Sequence, residues 1–256
     1  MRAVSPVVAG HVARVDDLLV TALKTLPPKP PDTADRAPKQ RYSDQVSDVV
    51  APAFAEELRL RNLQDARPTL PGVLGGSGAE RRMSGAIGAK HVDVTWATEE
   101  SGLMLAVSVK SINFRDQKTG NFQKNLTNRR GDLLFEAVTL HRRFPYAVLG
   151  AFLFLDKGAA GDATSKRNST FVNAHARLRL FTGRTDPAGR DEQYERLYIV
   201  LLDANPFSPS FEVYEAGVPA QPVALDAAFG QIIELVAERN SDFYEATNSG
   251  ALRRIP

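Results

Sequence analysis

The sequence predicts a mixed α/β fold, classed equally as α+β, in which helices flank a mixed central sheet. Residues 92–96 and 103–110 each place apolar side chains at every second position, which is the period of a β-strand. Residues 132–144 repeat apolar side chains at helical spacing, and residues 146–155 are an almost unbroken apolar run of strand length. The order strand, strand, helix, strand therefore indicates a helical crossover within the sheet.

The N-terminal part of the chain is predicted to stand apart from the main domain. Residues 1–41 comprise a helix at 6–26 and a linker that starts with the proline-rich run 27–31. The main domain is predicted to span residues 42–256, and its first helix covers residues 44–63.

The core of this domain is predicted at about residues 85–155, followed by C-terminal additions. Helical spacing recurs at 169–181 and 225–236, and strand patterns recur at 198–202 and 211–214. These elements extend the predicted sheet and supply helices to cover it.

The first two core strands carry a set of polar residues. The segment between them, 98–102, is short, polar and ends in glycine, so the strands are expected to form an antiparallel hairpin. Ser108 and Lys110 share one face because side chains alternate across a sheet, and Asp93 can reach that face from the neighbouring strand. An acid and a lysine on adjacent strands are able to hold a divalent metal next to a phosphate.

This arrangement resembles the PD-(D/E)XK nuclease superfamily, in which an Asp and an acid-x-Lys on the next strand bind magnesium and a scissile phosphate. The resemblance covers roughly residues 85–155 and departs from the pattern twice. Val92 replaces the proline before Asp93, and Ser108 replaces the acid before Lys110. A serine is a poorer magnesium ligand than a carboxylate because it carries no negative charge. Either the site is inactive or another acid completes it.

Glu136 is the first candidate for that acid. A branch of restriction endonucleases carries Ser-x-Lys on the strand and takes its second carboxylate from the following helix, in a motif that resembles the Glu-Ala-Val-Thr-Leu-His-Arg of residues 136–142. Glu57, on the helix before the hairpin, and Glu80, on a loop, are alternatives. Taken alone, Glu136 is typical of a solvated helix, and the other two are typical of surface salt bridges.

The resemblance implies a restriction-endonuclease-like core and a magnesium-dependent DNA endonuclease in which Mn²⁺ can replace Mg²⁺. Asp93, Glu136 and the backbone carbonyl of Val109 would bind the metal. Lys110 would neutralise charge on the transition state, and Ser108 would hydrogen-bond the carboxylate. Double-stranded DNA as substrate, a homodimer or higher homo-oligomer, and a defence role are implied as well. A catalytically inactive DNA-binding protein and a repair or mobile-element nuclease are the alternatives.

Positive charge is concentrated around the predicted site. Residues 110–143 contain eight basic and three acidic residues, a net charge of +5, whereas the whole chain carries +2. Amide side chains, Phe114 and Phe122 are interleaved with these charges, as is typical of a nucleic-acid contact loop. Arg129 and Arg130 are expected at a helix start, where free N–H groups favour an anion. The predicted DNA contacts are Lys118, Lys124, Asn125, Arg129 and Arg130.

Composition excludes several other kinds of site. The chain has no cysteine, so disulfides and Cys-zinc sites are excluded. It has no Gly-x-Ser-x-Gly elbow and no Walker loop. The N-terminal segment is too polar for a signal peptide or a membrane span, so a cytoplasmic location without membrane contact is expected.

Overall fold

The computed structural model describes residues 12–69, 81–84 and 89–256. The helices are α1 (Val12–Leu23), α2 (Arg36–Leu60), α3 (Lys124–His141), α4 (Thr170–Leu178) and α5 (Leu225–Arg239). The strands are β1 (Arg81–Ser84), β2 (Ala89–Val92), β3 (Val94–Thr98), β4 (Gly102–Ile112), β5 (Val148–Asp156), β6 (Arg196–Asp203), β7 (Ser210–Glu215), β8 (Pro222–Val223), β9 (Tyr244–Ala246) and β10 (Leu252–Arg254). None of the described helices is long and apolar enough to cross a membrane.

Six of the described strands form one mixed sheet in the order β3-β4-β5-β6-β7-β8. Strands β4, β5 and β6 are parallel to one another, whereas β3, β7 and β8 pair antiparallel with their neighbours. Two antiparallel hairpins, β1 with β2 and β9 with β10, are separate from this sheet. The predicted α/β class, with a mixed sheet flanked by helices, is confirmed.

Strand β5 is the central strand that the apolar run predicted. It pairs with β4 on one side and β6 on the other, and its residues are buried from Val148 to Leu155. Helix α3 connects β4 to β5, as expected for parallel neighbours that need a crossover. The predicted antiparallel hairpin of β3 and β4 is present as well.

Helices cover both faces of the sheet because side chains alternate along each strand. On one face, the ring of Phe152 in β5 lies 4.9 Å from that of Phe54 in α2 and 5.8 Å from that of Phe229 in α5. On the other face, Leu133 of α3 shares a core with Leu153 of β5. Helix α1 belongs to the first core through Val15, Leu19 and Leu23.

Helix α2 begins at Arg36, eight residues earlier than the sequence predicted. The polar residues up to Arg41 predict a linker, whereas most of them form the first turns of the helix. Pro38 is compatible with this start because N–H groups in the first turn have no intrahelical acceptor. The segment that links α1 to α2 is correspondingly shorter.

This linking segment lies against the loop after β4. The ammonium of Lys29 lies 2.5 Å from a carboxylate oxygen of Asp156 and 5.2 Å from the ring centre of Phe114. The backbone N–H of Arg115 donates to a carboxylate oxygen of Asp32 at 3.1 Å. The loop that follows β4 is therefore held by the N-terminal part of the chain.

Helix α3 begins at Lys124, so Arg129 and Arg130 lie in its second turn. The prediction that these two arginines flank the free N–H groups of a helix start is wrong. Residues 124–131 are mostly polar and show little apolar periodicity. Leu126 is the one residue among them that is buried in the core. The helix therefore starts before the pattern that predicts it.

Candidate active site

The site forms where β3 and β4 diverge. Their pairing ends at Val94 opposite Val107, whereas β4 continues beside β5 to Ile112; residues 108–112 are called the β4 extension below. Asp93 lies in a bend just before β3, and its Oδ2 accepts a 2.7 Å hydrogen bond from the N–H of Val109. The N–H and C=O groups of one strand residue point to the same side, so the carbonyl of Val109 also faces the side of Asp93.

Lys110 lies between the two predicted carboxylates. Its Nζ is 3.1 Å from Oδ2 of Asp93 and 3.3 Å from Oε2 of Glu136, and its side chain is 15% exposed. Burial disfavours the ammonium, but the negative charges of Glu136 and Asp93 outweigh this effect and raise the pKa of Lys110 above its ordinary value. The lysine is therefore protonated and holds both carboxylates in one cluster.

Glu136 enters the cluster from α3. This helix packs on the sheet at β4, anchored in the core by Leu133 and Ala137, and the carboxylate of Glu136 is almost fully buried. The hydroxyl of Ser108 donates a hydrogen bond to Oε1 of Glu136. The structure thus brings together Asp93, Ser108, Lys110 and Glu136, with the backbone of Val109 beside them.

Tyr194 contacts the residues that hold this cluster, and it is not among the site residues that the sequence predicts. It is completely buried just before β6, its hydroxyl donates to the carbonyl of Leu133 at 3.1 Å, and it lies 3.5 Å from the hydroxyl of Ser108. Burial, together with the negative charge of Glu136, raises the pKa of Tyr194 well above its ordinary value. The only signal in the sequence is an aromatic residue within the otherwise polar stretch 190–196.

Acidic residues of α2 add negative charge near Asp93. Asp44 and Asp48 are one helical turn apart. Burial, followed by the charges of Asp44 and Asp93, raises the pKa of Asp48 above its ordinary value. The potential on this side of the site therefore favours a cation.

The donor set fits Mg²⁺, which is usually bound through one or two carboxylates together with water and phosphate oxygens. Asp93 and Glu136 supply the carboxylates, and Val109 supplies a carbonyl oxygen. Within the described ranges, no group of three or more Asp, Glu or His side chains is arranged to hold a metal ion. A cation here would complete its coordination with water and substrate oxygens.

The two alternative acids are accounted for differently. Glu57 is buried in α2, where one carboxylate oxygen lies 2.9 Å from Arg14 and 2.6 Å from Arg61. Arg61 in turn lies 2.6 Å from Asp226 of α5. This network joins α1, α2 and α5. Glu80 lies outside the described residues.

The predicted DNA contacts differ in how they are held. Lys118 and Asn125 are exposed. Lys124 is also exposed, but its ammonium lies 2.6 Å from a carboxylate oxygen of Asp116. Arg130 is partly exposed on α3. Nε of Arg129 donates a hydrogen bond to the backbone carbonyl of Ser111, the residue after Lys110.

Phe114 and Phe122 are not available for stacking on bases. They are 8% and 2% exposed, and Phe122 belongs to the core between the sheet and α3. The interpretation of these rings as part of a nucleic-acid contact loop is wrong, because the loop folds its aromatic side chains inward.

Comparisons with protein-family models, with curated proteins and with solved structures find no match for this chain. A functional conclusion therefore depends on the residues around Lys110 themselves.

Proposed function

We propose that this chain is a magnesium-dependent endonuclease that hydrolyses phosphodiester bonds of double-stranded DNA. The proposal includes a restriction-endonuclease-like core, a defence role in the cytoplasm, and a homodimer or higher homo-oligomer that cuts both strands. The observation that carries it is the position of Asp93 and Glu136, each within 3.3 Å of the ammonium of Lys110.

Asp93, Glu136 and the carbonyl of Val109 would hold Mg²⁺, and Mn²⁺ would serve in its place. When bound, the cation polarises the phosphate and lowers the pKa of an attacking water. Ser108 orients Glu136, because its hydroxyl donates to one carboxylate oxygen while the other faces Lys110. Asp93 is oriented by the N–H of Val109, which donates to the same carboxylate oxygen, Oδ2, that lies near Lys110.

Lys110 is assigned to the scissile phosphate. An ammonium has three N–H donors, and the two carboxylates account for two of them. The remaining donor would bind a non-bridging oxygen and neutralise charge as the pentavalent transition state forms. This role requires a protonated lysine, and its raised pKa supports that.

Charge around the site supports binding of a polyanion. Of the net charge of +5 between residues 110 and 143, Lys110 lies on β4 and Arg142 and Arg143 follow α3, whereas the loop after β4 and α3 together carry +2 from five basic and three acidic residues. Basic and amide side chains bind phosphate oxygens, and such contacts supply most of the affinity for nucleic acid. Lys118, Lys124 and Asn125 are the predicted contacts that are exposed.

Cleavage of supercoiled plasmid tests the proposal. Asp93→Asn and Glu136→Gln each remove one negative charge with little change in shape, so each is expected to slow Mg²⁺-dependent cleavage at least about 100-fold. The matched control is Glu234→Gln, an exposed acid on α5, which is expected to cut like the wild type. Circular dichroism spectra that match the wild type would establish that all three variants fold.

Ser108 in place of an acid favours one alternative, a DNA-binding protein of the same fold that does not cut. A wild type that binds DNA but leaves plasmid intact in both Mg²⁺ and Mn²⁺ would contradict the enzyme and support this alternative. A methyltransferase gene beside the gene for this chain would favour restriction over a repair or mobile-element role.

A further inference from the structure

The β4 extension presents two successive sets of backbone groups on the side from which β3 has diverged. Val109 and Ser111 point their N–H and C=O groups to this side because strand residues alternate. Asp93 accepts from the N–H of Val109 at 2.7 Å, and the carbonyl of Ser111 accepts from Nε of Arg129 at 3.2 Å. Positions two residues apart lie about 7 Å apart along a strand.

Arg129 reaches this position from the same helix as Glu136. The two residues are seven positions apart, close to two helical turns, so both lie on the side of α3 that faces β4. The side chain of Arg129 is 36% exposed, and its Nη1 donates to Asp132 at 3.1 Å. A guanidinium has five N–H donors, of which these contacts use two.

We propose that Arg129 binds the phosphate next to the one that is cut. This inference rests on the proposed function, since it takes Lys110 as the contact to the scissile phosphate. Ser111 follows Lys110 directly, so the guanidinium that bonds its carbonyl lies beside the proposed contact to the scissile phosphate. Arginine suits such a contact because its planar fork binds two phosphate oxygens at once. The bond to Ser111 fixes the guanidinium beside the site before substrate arrives.

Arg142, the C-cap residue that follows α3, provides a matched control. It lies thirteen residues beyond Arg129, about 20 Å along the helix axis, and is paired with Asp191 at 3.3 Å. Replacing either arginine by alanine removes the same charge. Only Arg129 adjoins the β4 extension.

The test measures binding of a fluorescently labelled mixed-sequence DNA duplex over a series of salt concentrations. All variants of the full chain carry Asp93→Asn, so that no duplex is cut during the titration. Arg129→Ala is expected to weaken binding about tenfold. It is also expected to make the slope of log affinity against log salt concentration shallower by about 1, which corresponds to the loss of one phosphate contact. Arg129→Lys keeps the charge and is expected to restore the slope. Arg142→Ala is expected to change the affinity less than about twofold.

Equal effects of Arg129→Ala and Arg142→Ala, or an unchanged salt slope in Arg129→Ala, would overturn the assignment of Arg129. Failure of the reference protein, which carries Asp93→Asn alone, to bind the duplex would overturn both this inference and the proposed function. A third outcome is that Arg129→Ala weakens DNA binding as expected although the wild type cuts no plasmid. This outcome would overturn only the proposed hydrolysis, and the phosphate contact would stand.

Discussion

Ser108 occupies the position at which the nuclease resemblance calls for an acid. Its hydroxyl donates to Glu136, whose carboxylate comes from α3 rather than from β4. A neutral hydroxyl is a weak ligand for a hard cation, but it is well suited to orient a carboxylate. The negative charge that lies 3.3 Å from the ammonium of Lys110 on this side is therefore supplied by a helix residue.

Ser108→Ala is expected to raise the Mg²⁺ concentration for half-maximal plasmid cleavage about 10- to 100-fold, because an unoriented Glu136 binds the cation less well. Unfolding should also become easier by about 1–3 kcal/mol, since a buried acceptor loses its donor. Ser111→Ala, a buried serine on the same strand that bonds Asn113, serves as control and should leave the Mg²⁺ requirement unchanged. An unchanged requirement in Ser108→Ala would refute the orienting role.

At the scale of elements, the site depends on how α3 is placed over β4. The core residues Leu133 and Ala137 fix its distance from the sheet, and the hydroxyl of Tyr194 fixes one turn of it through the carbonyl of Leu133. Tyr194 also approaches Ser108, so a single buried side chain touches both elements that hold the carboxylate cluster.

Tyr194→Phe removes this hydroxyl and keeps the ring. We expect a loss of about 1 kcal/mol in the free energy of unfolding and a lower cleavage rate, because Leu133 and Ser108 lose a shared partner. Tyr198→Phe is the matched control, since its hydroxyl bonds Ala228 and Gln231 on α5. That control should lose comparable stability, measured by urea unfolding, and no activity once folded. Similar cleavage rates for both variants would argue against a role of Tyr194 in the site.

Local patterns explain which elements were predictable. The hairpin of β3 and β4 and the buried strand β5 each have a periodicity that is complete within about ten residues, so the sequence predicts them. The sequence predicts later starts for α2 and α3 than the structure shows, because their first turns are polar, mostly exposed and without apolar periodicity. Because α3 begins at Lys124, Arg129 lies in its second turn and not at the helix start that the sequence predicts for it.

Long-range contacts explain what was missed in the site. Tyr194 is 61 residues from Leu133 and 86 residues from Ser108, and no periodicity connects such positions. Asp93, Lys110 and Glu136 are predictable from the sequence only through the family resemblance, which supplies the order of the elements. The structure shows their proximity, and their catalytic roles stay predictions.

For the whole molecule, buried titratable groups make stability depend on pH. His175 of α4 packs against Phe171, with ring centres 4.5 Å apart, and its Nδ1 accepts the N–H of Gly217 at 3.1 Å. Burial lowers the pKa of His175 to about 4. In the unfolded chain an ordinary histidine takes up a proton near pH 6.5. The unfolded state therefore binds more protons between these values.

Stability from this histidine is fully present above about pH 6.5 and is lost as the pH falls toward 4. His175→Gln lacks a titrating ring, so its free energy of unfolding should fall less steeply over this range than that of the wild type. Urea unfolding followed by fluorescence of the single, buried Trp96 measures both. Parallel pH profiles for the two proteins would show that His175 does not carry the effect.

The ion network that joins α1, α2 and α5 bears on how the protein can be shortened. A fragment that starts at residue 42 lacks Arg14, so the buried carboxylate of Glu57 keeps Arg61 as its remaining counter-ion in this network. The same cut opens to water the core surface that Leu19 and Leu23 cover. A fragment that begins after the proline-rich run is therefore expected to be less stable than a chain that retains α1. N-terminal tags for crystallisation are better joined ahead of α1.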